Sequence, residues 1–321
     1  MPSQEQWVHD QIITGADTLV GQIIGVPRGP KARNFFVDTV NGDDDDNGLR
    51  LDRPLASVEA AEDLCTANQH DAVVMVGMAT ADNLTASIAW DKSYTHLVGL
   101  TNDLPGLGQR ARMVGTAAKD LTKLIELSGN GCVFRNLQFF QGGDAAGAVG
   151  NVLVSGSRNY LKNVFCAGGG HATPAALPGM YSLEVTGDEN YFEDCTIGLD
   201  TIIRTGGYEL IVAAARNKFR HCEVRSYCET SGRFMVKIDN TADMRDTTFE
   251  DCLFFNYTVN WASGSANVFD MPTAGNTHYV ILRGRNQLVG VGLGWADVVT
   301  HIYSADAAPN AGFGISTQPT T

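Results

Sequence analysis

The sequence predicts an all-β solenoid, a parallel β-helix, from a repeat and from two kinds of alternating run inside it. Five segments lie over one another: "VFRNLQF", "YLKNVFC", "YFEDCTI", "KFRHCEV" and "TFEDCLF". Their second residues are Phe134, Leu161, Phe192, Phe219 and Phe249, spaced 27, 31, 27 and 30 residues apart. A second alternating run precedes most copies: "LIELSGN", "VLVSG", "SLEVTGDEN" and "LIVAAARN", with "MVKIDN" a looser match. Such short period-2 runs cannot each bury a face alone, but stacking them buries one continuous core. Leucine-rich repeats share this length range, yet they need a dense leucine framework that is missing here.

Stacking in register places equivalent residues about 4.8 Å apart on neighbouring coils, so each aligned column acquires a role. The Phe134, Leu161, Phe192, Phe219, Phe249 column is an internal stack. Two residues on, Asn136, Asn163, Asp194, His221 and Asp251 fall where the strand must bend, a place suited to short polar side chains. Cys195, Cys222 and Cys252 follow them as small buried hydrophobes. Arg135, Lys162, Glu193, Arg220 and Glu250 form an outward column in which Arg220 falls between two glutamates. Asn159, Asn190 and Asn217 each come two residues before the aligned Leu or Phe.

Upstream, "DAVVMVGMA", "THLVGL" and "ARMVGT" read as earlier and less regular coils, and "YVILRG" continues the solenoid downstream. "PLASVEAAEDLCTAN" has the composition of a helix with Val58, Ala61 and Cys65 on one face. Such a helix would cover an open end whose unpaired edge otherwise invites aggregation. The expected organisation is an N-terminal arm over 1–33, then a first strand, Asp-rich turn and capping helix over 34–70. The β-helix follows over 71–290, and a small-residue finish over 291–321.

Of the 321 residues 44% are hydrophobic, enough for a large core, while the net charge of -13 argues against nucleic acid or anionic membrane as the main partner. No apolar run approaches the roughly 20 residues of a membrane span. "MPSQEQWVHDQ" lacks a basic region followed by an apolar one, so synthesis without secretion is expected. Seven cysteines without close pairs fit reduced thiols better than a disulfide framework.

The stretch "NFFVDTVNGDDDDNGLRLDRPLASVEAA" resembles the opening of right-handed β-helix proteins of the pectate-lyase-like superfamily. "DAVVMVGMA" and "HLVGL" resemble that group's first coils, and the N-x-F-x-[ND]-C copies its generic coil pattern. The resemblance spans about residues 34–290. It implies the fold; its members include lyases, hydrolases, adhesins and viral spikes, so it does not imply one activity. Members without a signal peptide are often virion proteins of tailed phages. The resemblance therefore implies a structural protein of a virion, a capsid decoration protein built as a homotrimer on the major capsid protein. The alternative is a tail spike or a glycan-cleaving lyase or hydrolase acting on a host-surface glycan.

For an enzyme, Asp194, His221 and Asp251 form an acid–base constellation in one column, with Lys237 as a further basic group; against it, all three column residues fit a purely structural turn. Lys237 and Asp239 alternate on one face, and His171 lies in the Gly-rich excursion "AGGGHATPAALPG". No cofactor is implied. "DDDDNG" matches the first half of a calcium loop at Asp43, Asp45 and Asn47, but the twelfth position is Pro54 rather than Glu, so a turn is the expected role.

Overall fold

The computed structural model describes residues 25–77, 79–101, 111–117, 119–230, 232–239, 246–257, 267–272, 280–290, 295 and 302–304. Residues 1–24 of the expected arm and most of the finish over 291–321 lie outside the described residues. The chain is a parallel β-helix. Its strands form a 16-stranded sheet and a 7-stranded sheet, and neighbouring strands pair in parallel throughout the described part.

Each coil repeats one path. A strand of the smaller sheet, such as Tyr181–Val185, turns into a first segment of the larger sheet, Tyr191–Glu193. A left-handed corner follows, then a second segment, Thr196–Ile197, and a loop returns to the smaller sheet at Tyr208–Val212. Strands Val133–Gln141 and Tyr160–Ala167 run through the corner without a break. "ARMVGT" is not a separate coil: Arg112–Gly115 is the second segment of the coil that starts at His96–Leu100, since both pair with Val133–Gln141.

The internal stack forms as its spacing demands. Leu97, Phe134, Leu161, Phe192, Phe219, Phe249 and Leu282 sit in successive register and are all buried. The Phe192 and Phe219 rings lie 4.6 Å apart at 7°, and Phe219 and Phe249 4.8 Å apart at 9°. The thiols of Cys195, Cys222 and Cys252 are free and buried, each donating to a carbonyl of the preceding coil.

A ladder of buried asparagines ties the turns between the two sheets. Asn159 Oδ1 accepts from Cys132 N, Asn190 Oδ1 from Asn159 N, and Asn217 Oδ1 from Asn190 N, all at 2.8–2.9 Å. Their amide nitrogens donate to turn carbonyls at Gly129, Gly156, Gly187 and Ala214. Every coil therefore satisfies the backbone of its neighbour, which a buried turn requires.

The first end is closed by the helix Val58–Leu64, which buries Val58, Ala61 and Glu62. Ser57 caps it by accepting from Ala60 N, and Asp82 accepts from Val58 N. The acidic stretch supplies the rest of the cap. Asp44 accepts from Ala56 N, Ser57 N and the Ser57 hydroxyl, Asp43 from Asp45 N, and Asn47 from Leu49 N, while Asp46 pairs with Arg53. Residues 25–33 run along the outside of the larger sheet, where Val26 packs on Ala72, Val74, Val98 and Val133. No helix among the described residues is long and apolar enough to cross a membrane.

Candidate functional site on the smaller sheet

The smaller sheet turns one set of side chains outward. Register places Glu126, Leu153, Glu184, Ile211, Lys237 and Asp270 in one column across successive strands. Register also aligns Gly150, Tyr181 and Tyr208, and the contacts of Tyr208 with Asp270 and Lys237 put its ring on the same face, with Phe234 on the next strand. Carboxylates, a lysine and aromatic rings thus share one face.

The groups are coupled. Tyr208 Oη donates to Asp270 Oδ2 at 2.5 Å, and Lys237 Nζ lies 6.0 Å from the centre of the Tyr208 ring. Lys237 also pairs with Asp239 at 3.2 Å, and Lys123 pairs with Glu126, whose other oxygen accepts from Ser155 Oγ. Burial, then the Asp270 bond, push the Tyr208 phenol up, so it stays a donor. Burial pushes the Glu184 carboxyl above the usual range; the Asp239 charge adds to that, and Lys237 and Lys123 oppose it.

Beside Tyr208 a pocket of about 110 Å³ is lined by Pro178, Gly207, Tyr208, Gly232, Arg233 and Phe234. Drug-sized ligands occupy roughly 300–1,000 Å³, so this notch takes one substituent and leaves the rest of a longer ligand on the open sheet. Pro178 comes from the excursion that also holds His171, whose ring caps the short helix Ala172–Ala175 by accepting from Thr173 N.

A buried ion pair holds the pocket walls. Arg204 and Glu209 are 1% and 2% exposed and lie 3.1 Å apart. The guanidinium donates to the carbonyls of Gly206, Gly207 and Phe234 and to Ser226 Oγ, while Ser182 Oγ donates to Glu209. Burial pushes Glu209 up and Arg204 pulls it back. All five Arg204 partners are protein groups, so the charge is satisfied without solvent.

The constellation read from the sequence lies elsewhere. Asp194, His221 and Asp251 do come together at the corner of the larger sheet, but Lys237 is on the smaller sheet. The His221 ring nitrogens are 3.6 Å from Asp194 Oδ1 and 3.8 Å from Asp251 Oδ2, longer than hydrogen bonds. Asn136, Asn163, Asp194, His221 and Asp251 all have φ of 51–57°, the left-handed bend that short polar residues tolerate. Asp251 Oδ1 also accepts from Arg285 N, and Asn163 Nδ2 donates to Asn136 Oδ1. His221 is 44% exposed, on an open surface. Lys162, Arg220, Glu193 and Glu250 pair across coils at 3.3–3.7 Å, as the alternating column predicts.

Sequence reasoning named only Lys237 and Asp239 on the smaller sheet. Glu184 lies in the quoted run "SLEVTGDEN", and its outward position follows from alternation alone. Tyr208 precedes Phe219 by 11 residues as Tyr181 precedes Phe192, so that pair could have been found from the repeat, whereas Phe234 and Asp270 required the register across loops of unequal length. Among the described residues no three His, Cys, Asp or Glu side chains are placed to hold a metal ion.

No protein-family model matches the chain, and no curated protein sequence does. Solved structures do resemble it. A pectin methylesterase in complex with a hexasaccharide aligns at 16% identity with a TM-score of 0.51, over 85% of this chain and 81% of the other. A pectate lyase aligns at 14% identity and 0.52, over 82% and 63%. A second pectin methylesterase complex with a hexasaccharide aligns at 14% and 0.52, over 87% and 91%. The shared feature is the parallel β-helix; these neighbours are enzymes that process polysaccharides.

Proposed function

We propose that the protein engages a polysaccharide on the outer face of its smaller sheet. The observation that carries this reading is the side-by-side placement of Tyr208, Lys237 and Asp270 over the notch at Phe234 and Arg233. Aromatic rings offer apolar faces to sugar rings, and carboxylates and hydroxyls bond sugar hydroxyls. Lys237, Lys123 and Arg233 suit acidic substituents on the chain. A flat sheet with successive equivalent positions fits an extended polymer better than a compact metabolite. The polysaccharide-processing neighbours support the same class.

Glu184 is the proton-transfer group of this face, because burial raises its carboxyl and so favours the protonated form. Glu184 and Asp270 are three strands apart in register, so roughly 14 Å separates their backbones. The carboxylates of glycoside hydrolases lie about 5–9.5 Å apart, so this pair does not make a two-carboxylate hydrolase on its own. A carboxyl that favours its protonated form donates a proton rather than abstracting one, so Glu184 fits a general acid to a leaving oxygen. Incubation with neutral and acidic polysaccharides, followed by analysis for unsaturated ends, new reducing ends and released acid, tests this. Product formation by the wild type that is lost in Glu184→Gln and kept in Asp194→Asn supports the reading. Products abolished by Asp194→Asn or Asp251→Asn instead would transfer the site to the corner.

A second reading is a non-catalytic part of a tailed-phage virion, a homotrimer attached to the major capsid protein. One observation favours a structural role: the acid–base groups at the corner occupy turn positions. It predicts a trimer by light scattering and retention by purified capsid shells. A monomer that ignores shells contradicts it.

A further inference from the structure

His96 points outward from the larger sheet, yet it is fully buried. Its register neighbours Ala72 and Val133 belong to the apolar strip on which Val26 packs. Among the described residues, His70 lies directly on it, and residues 25–33 pack beside it on the strip and against His70. The His70 and His96 rings stack 5.3 Å apart at 19°, Tyr94 meets His70 edge-on, and Gly29 lies against the His70 ring and the Gln69 carbonyl.

The hydrogen bonds set the proton positions. The Val133 amide can only donate, and it donates to His96 Nδ1 at 3.0 Å. The single proton of a neutral His96 is therefore on Nε2, where it meets His70 Nδ1 at 3.0 Å. His70 in turn keeps its proton on Nε2. This relay is full: another proton on His96 would face the Val133 N–H, and another on His70 would face the His96 N–H. Either one breaks a bond, and on His96 it also places a cation in a fully buried site beside a basic segment.

The surrounding charges do not relieve it. Arg28 lies in the covering segment and opposes a cation at His96. The carboxylate of Asp71 is already taken by Arg33 N, Arg33 Nη2 and Thr66 N. Tyr94 and Tyr160 supply phenols rather than carboxylates, and Arg135, beside Gly25, adds positive charge.

We propose that the His70–His96 pair is an acid-operated latch, which holds residues 25–33 on the larger sheet at neutral pH and releases them on acidification. Release would uncover the apolar strip Ala72, Val74, Val98 and Val133. The direction follows from linkage. Burial, then His70 and Arg28, depress His96 to about 3, against an ordinary 6.5 once the segment is off. Docking is at full strength above the ordinary value and weakens as pH falls below it, by up to about tenfold in the docking equilibrium per pH unit.

Hydrogen exchange by mass spectrometry on the full chain, corrected for the intrinsic pH dependence, tests the latch. Peptides covering 25–36 and the Val133 amide should lose protection by about tenfold per unit between pH 6 and 4.5. Peptides from the strand Tyr208–Val212 on the other sheet should not change. In His96→Asn, whose side-chain oxygen can still accept from Val133 N, the segment should stay protected over the same range. Unchanged protection at 25–36 in the wild type, or equal loss on both sheets, would overturn the proposal. If His96→Asn does not fold, the wild-type contrast between the two sheets decides alone.

Discussion

Glu184 is the residue at which chemistry and stability are linked. Its carboxyl is raised by burial, so it contributes full stability below its unfolded value near 4.5 and loses it as pH climbs through the folded value. Glu184→Gln removes that loss. Its melting temperature should match the wild type near pH 4 and exceed it once pH has climbed through the folded value, in thermal unfolding followed by circular dichroism. A constant difference across that range would show that Glu184 is not held protonated. At the corner the expectation is opposite in kind. Asp194→Asn places another residue type that tolerates φ of 55°, as Asn136 and Asn163 do, and should change stability by less than about 0.5 kcal/mol. Asp194→Val puts a β-branched side chain there and should cost about 1–3 kcal/mol by denaturant unfolding.

Elements in this fold are held by columns rather than by local propensity, so single changes act on three coils at once. Phe219 is stacked between Phe192 and Phe249, and Phe219→Ala should cost about 3–5 kcal/mol, more than Phe219→Leu, which keeps most of the volume and a side chain that the column already holds at Leu161 and Leu282. Asn190→Ala orphans the Asn159 amide and the Gly156 carbonyl, while Asn217 still donates to Gly187, and should cost about 1–3 kcal/mol. These columns were legible because their residues recur at nearly constant spacing and pair one to one. The face of the smaller sheet was not. Leu210 precedes Phe219 by 9 residues whereas Val236 precedes Phe249 by 13, and this longer connection hides that Lys237 and Phe234 join the column of Ile211 and Tyr208. Arg204 was hidden for another reason: in "DTIIRTGG" it reads as a solvated loop cation, and only the fold pairs it with Glu209. Arg204→Met leaves Glu209 charged and unpaired and frees the carbonyls of Gly206, Gly207 and Phe234. It should cost about 3–5 kcal/mol and loosen the pocket.

At the scale of the molecule, one solenoid carries two surfaces of different character. The larger sheet presents a strip closed by residues 25–33 and a corner of ion pairs at turn positions, where exposed pairs contribute little each. The smaller sheet presents an open row of carboxylates, cations and rings beside a notch held from beneath by a buried ion pair. The Asp-rich turn belongs to neither surface, because its side chains close the first end by capping the helix Val58–Leu64 and bonding their own loop. Within that turn Asp43 Oδ1 accepts from Asp45 N and Asn47 Oδ1 from Leu49 N.

Polysaccharide binding on the smaller sheet is the central claim, and affinity electrophoresis against neutral and uronate-bearing polysaccharides tests it most directly. The wild type should be retarded by at least one of these polymers. Tyr208→Ala with Lys237→Ala should raise the dissociation constant by at least about tenfold, the equivalent of about 1.4 kcal/mol. Asp194→Asn with Asp251→Asn should leave it unchanged. Retardation that survives the first pair and disappears with the second, or a folded wild type that none of the polymers retards, would contradict the account.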